Sequence, residues 1–83
     1  MTDKLQKILD EVAPHMQRGQ IQVEVEPKKV RLYMNDGPSG YLEKNVDQEQ
    51  WSVWGPRRKY ICMMSTIWDG FTVLRVLERE ARR

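Results

Sequence analysis

The stretch QIQVEVEPKKVRLYM, residues 20 to 34, sets the pattern on which the rest of the chain is built. Apolar and polar residues alternate in both of its halves, which is typical of strands with one face in water. Between the halves, Pro27 can take the second position of a tight turn, where its fixed φ is suitable. The stretch therefore predicts an antiparallel hairpin whose exposed face sets acids beside bases. These charges are Glu24, Glu26, Lys29 and Arg31.

Helical periodicity flanks this hairpin on both sides. Apolar residues at positions 5, 8, 9, 12 and 16 would share one stripe of a helix. Pro14 predicts a kink or an end near Ala13, and Gly19 can supply the left-handed residue beyond the last turn. A second helical pattern begins at Asp69, a suitable N-cap residue.

Short strands and turns fill the space between the hairpin and the second helix. The segment NDGPSG, residues 35 to 40, is a surface loop by composition. A weak strand follows at 41–46, and a short strand rich in aromatics at 51–54. The apolar run at 59–64 favours a central strand that is covered on both faces. We therefore expect an α+β fold: an N-terminal helix, an antiparallel meander of four to five short strands and a C-terminal helix, with both helices on one sheet face.

Size and composition limit the other possibilities. The chain has 83 residues, of which 40% are hydrophobic and 31% charged, so residues 1–83 are expected to form a single domain. A net charge of +2 is too small to drive strong binding to nucleic acid or to an anionic membrane. The start of the chain lacks a signal-peptide pattern, no apolar run could span a bilayer, and the lone Cys62 suits a reducing compartment. A cytoplasmic protein without a membrane partner is the expectation.

Catalytic and metal-binding residues are scarce. His15 is the only histidine and Cys62 the only cysteine, which excludes a structural zinc site of the usual Cys/His kind. No phosphate-binding loop, dinucleotide-binding glycine pattern or nucleophile elbow occurs. We expect no enzymatic activity, no catalytic residues, no metal and no cofactor.

The segment WSVWGPRRKY, residues 51 to 60, concentrates aromatic and cationic side chains. Strand alternation puts only one of its two tryptophans inside the fold. Three interpretations stay open: a purely structural hairpin, a protein interface, or a platform on which nucleic-acid bases stack while cations hold the phosphates. The candidate binding residues are Trp51, Trp54, Arg57, Arg58, Lys59 and Tyr60.

The C-terminal helix carries a second cationic feature. Arg75, Arg79, Arg82 and Arg83 are spaced to lie along one stripe of this helix. Such cations also complement the helix dipole, which is a structural explanation. A functional stripe would favour an acidic protein surface or a phosphate backbone. Arg75 and Arg79 therefore join the candidate binding residues.

The order helix, meander, helix, with a tryptophan on a middle strand and the junction DGFTVLRVLE, resembles the frataxin family. The resemblance covers most of the chain and concerns the fold. Frataxins carry an acidic ridge on the first helix and first strand, and here lysines interrupt the acids at those positions. For that reason no iron-binding role is carried over.

A non-enzymatic binding protein is the leading hypothesis. It would dock on a larger macromolecular partner, most readily another protein, as small adaptors and phage-type inhibitors of host machinery do. The alternative is a single-stranded nucleic-acid-binding protein that uses residues 51–60. Homodimerisation is also left open, because a two-helix, one-sheet domain leaves a sheet face or edge free.

Overall fold

The computed structural model describes residues 3–17, 19, 21–35 and 39–81. Two helices enclose five strands in chain order, as the sequence predicted. The predicted α+β class is confirmed. The elements are α1 (Asp3–Gln17), β1 (Ile21–Glu26), β2 (Lys29–Met34), β3 (Tyr41–Asn45), β4 (Trp51–Trp54), β5 (Tyr60–Met64) and α2 (Ile67–Ala81).

The strands form one antiparallel sheet in the order β1-β2-β3-β4-β5. The predicted hairpin is confirmed, with Glu24 opposite Arg31 and Glu26 opposite Lys29. The prediction of a central strand at 59–64 was wrong, because β5 lies at one edge. Its apolar residues serve two different faces: Cys62 packs against the core, whereas Met63 lies exposed on the other side. An uninterrupted apolar run therefore does not reveal how many neighbours a strand has.

Both helices pack on the sheet face that carries Leu32, Leu42 and Val53. Helix α1 contacts β1 and β2, and α2 contacts β3, β4 and β5. The core is continuous across the two helices and the sheet. Its buried members are Leu5, Ile8, Val12, Val30, Leu32, Leu42, Trp51, Val53, Ile67, Phe71 and Leu74.

Both helices differ from the sequence prediction at one end. Helix α1 continues through Pro14 to Gln17, so it does not end near Ala13, because a proline close to a helix end removes only one amide donor. The kink that the sequence offered as the alternative stays a prediction. Gly19 then adopts φ 66°, and its amide donates to the Met16 carbonyl at 2.9 Å, as expected of a terminating glycine.

Helix α2 begins at Ile67, before the Asp69 start that the sequence suggested. The cap is Thr66, whose Oγ1 accepts a hydrogen bond from the Asp69 amide at 3.1 Å. This start places Ile67 in the core and leaves its neighbour Trp68 outside.

Gly40 allows the chain to pass close to β4, which gives a test of the packing. It has φ 119°, and a Cβ there would lie 2.4 Å from the Trp54 carbonyl oxygen and 2.9 Å from a Leu74 methyl. We expect Gly40→Ala to lower the free energy of unfolding by about 2–5 kcal/mol, the sum of backbone strain and overpacking. Urea denaturation would measure the loss.

Gly19→Ala is the matched control, since Gly19 also has positive φ but no atom lies within 4 Å of its added Cβ. It should lose only the backbone term, about 1–2 kcal/mol. Equal losses in the two variants would contradict the close approach at Gly40.

Candidate partner-binding surface

A row of four aromatic rings crosses the sheet face that the helices leave uncovered. The strand register sets Tyr41 opposite Trp54 and Trp54 opposite Tyr60. Ring centroids are 5.6 Å apart for Tyr33 and Tyr41, 6.1 Å for Tyr41 and Trp54, and 5.3 Å for Trp54 and Tyr60. These distances are those of interacting aromatic pairs, so the four residues act as one packed unit, here called the aromatic row.

The most exposed ring of the aromatic row is the one at the edge of the sheet. Tyr41 is only 9% exposed, since Trp54 stacks on it and the Arg31 guanidinium lies 4.9 Å from its ring centroid. The Trp54 Nε1–H is buried and bonds no acceptor among the described residues, so packing alone holds this ring. Tyr60, on the edge strand, is 49% exposed. The end of the row at β5 is therefore the part that a partner could touch.

On the same face, Arg31 and Lys29 form ion pairs with acids on neighbouring strands. Arg31 donates from Nε and Nη2 to one Glu43 oxygen at 2.9 and 2.7 Å, which raises the pKa of the guanidinium. Lys29 lies between two acids, 3.7 Å from Glu43 and 3.6 Å from Glu26. These bonds stabilise the sheet and leave neither cation free for a partner.

Tyr33 begins the aromatic row and has a perturbed phenol. Burial raises its pKa above the ordinary value of 10.0, and a hydrogen bond with Glu24 raises it further, whereas Arg31 acts in the opposite direction. The neutral phenol is thus the form that the fold favours.

In contrast to the ion-paired sheet face, the loop between β4 and β5 has cations but no acids. Its ends are joined by the Gly55 amide, which donates to the Lys59 carbonyl at 2.8 Å, and Pro56–Arg58 form a single 3-10 turn. Arg57, Arg58 and Lys59 are exposed, and no ion pair found among the described residues involves them. This loop is called the cationic loop below.

The cationic loop is held in a strained conformation. Arg57 and Arg58 have φ values of 62° and 58°, in the left-handed region that side chains other than glycine rarely adopt. Backbone strain of this kind is concentrated at functional sites, where the surrounding structure maintains it.

Two depressions meet at the cationic loop, and both are lined by Ser39, Gly55 and Pro56. The larger, about 870 Å³, lies between the loop, the start of β5 and the C-terminal half of α2. Its apolar wall consists of Ile61, Leu74, Leu77 and Ala81. The shallower one, about 590 Å³, reaches the aromatic row at Tyr33 and Tyr41 and includes Arg57 and Arg58.

Of the two tryptophans in residues 51–60, Trp51 lies inside the fold and Trp54 on the uncovered face. Trp51 is 0% exposed, and its Nε1 donates to the Glu11 carboxylate oxygens at 3.1 and 3.0 Å. Lys44 lies 3.5 Å from the same carboxylate and 5.6 Å from the indole centroid. Trp51 therefore has no surface to offer a partner.

Helix α2 presents a tryptophan that the sequence analysis did not select. Trp68 is 60% exposed, with the Arg75 guanidinium 5.8 Å from its ring centroid. Arg79 is exposed one turn further on, whereas Arg82 and Arg83 lie outside the described residues. Because the helix was expected to start at Asp69, Trp68 was assigned to no face. The signal in the sequence that could have placed the helix start before Trp68 was Thr66, a residue type that caps helices.

Among the described residues, no cluster of three or more histidines, cysteines, aspartates or glutamates could hold a metal ion. Neither α1 nor α2 has the length and apolar character that crossing a bilayer requires. No protein-family model, curated protein or solved structure matches the chain. The resemblance to the frataxin family stays a prediction.

Tyr33 gives the fold a testable dependence on alkaline pH. Because its pKa is raised in the folded state, its contribution to stability is complete below about pH 10 and is lost as the pH rises through the folded pKa. We expect the wild type to lose stability more steeply than Tyr33→Phe between about pH 9 and 11. Urea midpoints measured across that range would show it, and parallel curves would contradict it.

Strain in the cationic loop predicts a variant that is more stable than the wild type. Arg57→Gly should remove about 1–2 kcal/mol of strain and lose roughly 0.5–1 kcal/mol to the greater freedom of the unfolded chain. The expected gain, measured by urea denaturation, is about 0.5–1 kcal/mol.

Lys59→Gly serves as the control, since Lys59 has an ordinary extended conformation with φ −85°. This variant should be less stable than the wild type by about 0.5–1 kcal/mol. A loss of stability in Arg57→Gly would show that its backbone is not strained.

Proposed function

We propose that this protein is a non-enzymatic binding protein that docks on a larger partner protein through the cationic loop and the exposed end of the aromatic row. One observation carries the proposal: three cations unpaired within the described structure and the half-exposed ring of Tyr60 stand where two depressions meet. Aromatic and arginine side chains beside a concave apolar surface are the composition of interface hot spots.

A protein partner is favoured over nucleic acid by the packing of the aromatic row. Tyr41 is covered by Trp54 and Arg31, so its ring has little face left on which a base could stack. Glu24, which bonds the Tyr33 phenol on the same face, would repel phosphates. The apolar wall of the larger depression suits a partner's side chain.

Single-stranded nucleic acid is the second candidate. The cationic loop directly precedes Tyr60, which would let phosphates and one stacked base bind side by side. Such binding would be confined to a short contact, and its affinity would fall steeply with salt.

The role of the complex depends on whether binding links the partner to another molecule or blocks the partner's own activity. A protein that offers a recognition surface acts either as an adaptor or as an inhibitor, including inhibitors of the phage type. We propose a cytoplasmic location, which the free thiol of Cys62 supports because such a thiol suits a reducing compartment.

Charge reversal in the cationic loop tests the proposal. The double variant Arg57→Glu, Arg58→Glu should retain at least tenfold less of the captured partner from an extract of the source cells, since hot-spot residues contribute about 2 kcal/mol or more. Quantitative mass spectrometry of the retained proteins would measure the change.

Lys7→Glu, Lys28→Glu is the matched control, because it reverses two exposed cations of α1 and of the β1–β2 turn. It should retain the partner at the wild-type level. Equal retention by all three proteins would count against the cationic loop as the binding site.

Titration with single-stranded and duplex oligonucleotides separates the two candidates. Under the protein-partner proposal, neither should bind appreciably at low salt. Binding that weakens steeply as salt increases, and that the double loop variant abolishes, would support the nucleic-acid candidate instead.

A further inference from the structure

The two edges of the sheet are protected to different extents. Along β1, the exposed edge strand IQVEVE carries Glu24 and Glu26, charges of the kind that discourage the addition of another strand. Strand β5, with the sequence YICMM, has no charge, and β4 is its only neighbour in the sheet. Beyond the irregular pairing with β4 at Ile61, backbone amide and carbonyl groups on the outer side of residues 62–64 therefore form a template for a strand from another chain.

Charge at one end of β5 indicates the chemistry of the added strand. The cationic loop leads directly into the N-terminal end of β5 at Tyr60. In an antiparallel pair, the C-terminal end of the added strand lies beside this end. Acidic residues there would meet three cations that have no acid of their own within the described structure.

The larger depression supplies a place for a side chain of the same segment. It adjoins the start of β5, and its lining combines the apolar Ile61, Leu74, Leu77 and Ala81 with the charged Lys59 and Glu78. Strand addition commonly combines backbone hydrogen bonds, which give affinity, with pockets for side chains, which give specificity.

We propose that β5 receives an extended segment of the partner protein as a sixth, antiparallel strand, with acidic residues at its C-terminal end and an apolar residue in the larger depression. This inference rests on the proposed function and names the form that the docking takes. A second copy of the chain fits less well. Its β5 has no acid, and the acids of its β1 already interact with Tyr33 and Lys29.

A synthetic peptide would test the strand addition directly. The probe is a fluorescently labelled peptide in which valine and threonine alternate before three C-terminal glutamates, with binding followed by fluorescence anisotropy. We expect saturable binding that weakens with salt. A peptide with the glutamates at its N-terminal end should bind several-fold more weakly, since only one orientation brings its acids to the cationic loop.

Backbone methylation separates strand pairing from simple charge attraction. Two further peptides carry N-methyl groups on alternate residues, one on the odd positions and the other on the even positions. Only one of the two sets points toward β5 in a paired strand, so one peptide should lose binding and the other should keep it. The protein variant Arg57→Glu, Arg58→Glu should bind the unmodified peptide several-fold to about tenfold more weakly, whereas Lys7→Glu, Lys28→Glu should not differ from the wild type.

Three results would overturn the proposal: no binding of the unmodified peptide, equal binding of both methylated peptides, or a protein dimer in light scattering that the peptide dissociates. The last result would assign the β5 edge to a second copy. Loss of peptide binding together with loop-dependent capture of a cellular protein would remove the strand addition and leave the proposed function standing. Failure of both experiments would remove both.

Discussion

The burial of Trp51 between α1 and the sheet, with its indole N–H bonded to Glu11, is the constraint on which the composition of the uncovered face depends. A buried indole needs an acceptor for its N–H, and here α1 supplies one from across the helix–sheet boundary. Lys44 of β3 approaches the same carboxylate, so three elements meet at one polar group. Trp51 and Val53 are both 0% exposed, and they mark the face of β4 that is turned inward. Because strand side chains alternate, Trp54 is then obliged to lie on the opposite face.

The cations of the uncovered face and those of the cationic loop differ in whether they pair with acids. Cations at the centre of the sheet are bonded to Glu43 and Glu26, which makes them part of the structure. Those of the cationic loop have no such acids within the described structure, and two of them have left-handed backbone conformations. Within the described structure, the loop cations therefore form no ion pair that stabilises the fold, and the backbone that carries two of them is strained. That combination favours an interpretation as a binding surface.

The sequence predicted features that depend on local spacing and missed those that depend on the neighbours of an element. Period-two alternation correctly predicted the first hairpin and the facing positions of its charges, although Arg31 bonds Glu43 rather than Glu24. The spacing of Trp51 and Trp54 placed them on opposite faces. The edge position of β5 was missed, because its side chains are apolar on both faces whatever its place in the sheet. Trp68 was missed because the helix was expected to start after it, at Asp69, and a residue outside a helix is assigned to no helix face. The aromatic row was also beyond the sequence, since Tyr33 and Tyr41 join it only through strand register.

Because the edge at β5 is less protected than the edge at β1, the protein's tendency to associate sets a limit on its concentration in a cell. An uncharged edge strand left open is a site of unwanted association, and the rate of association rises with concentration. Occupation of β5 by the proposed partner strand would remove that hazard, and the acidic edge at β1 would need no cover. The chain would therefore stay dissolved if it were produced in the same amount as the partner that covers β5. Chain present in excess of that partner would be the form most prone to aggregate.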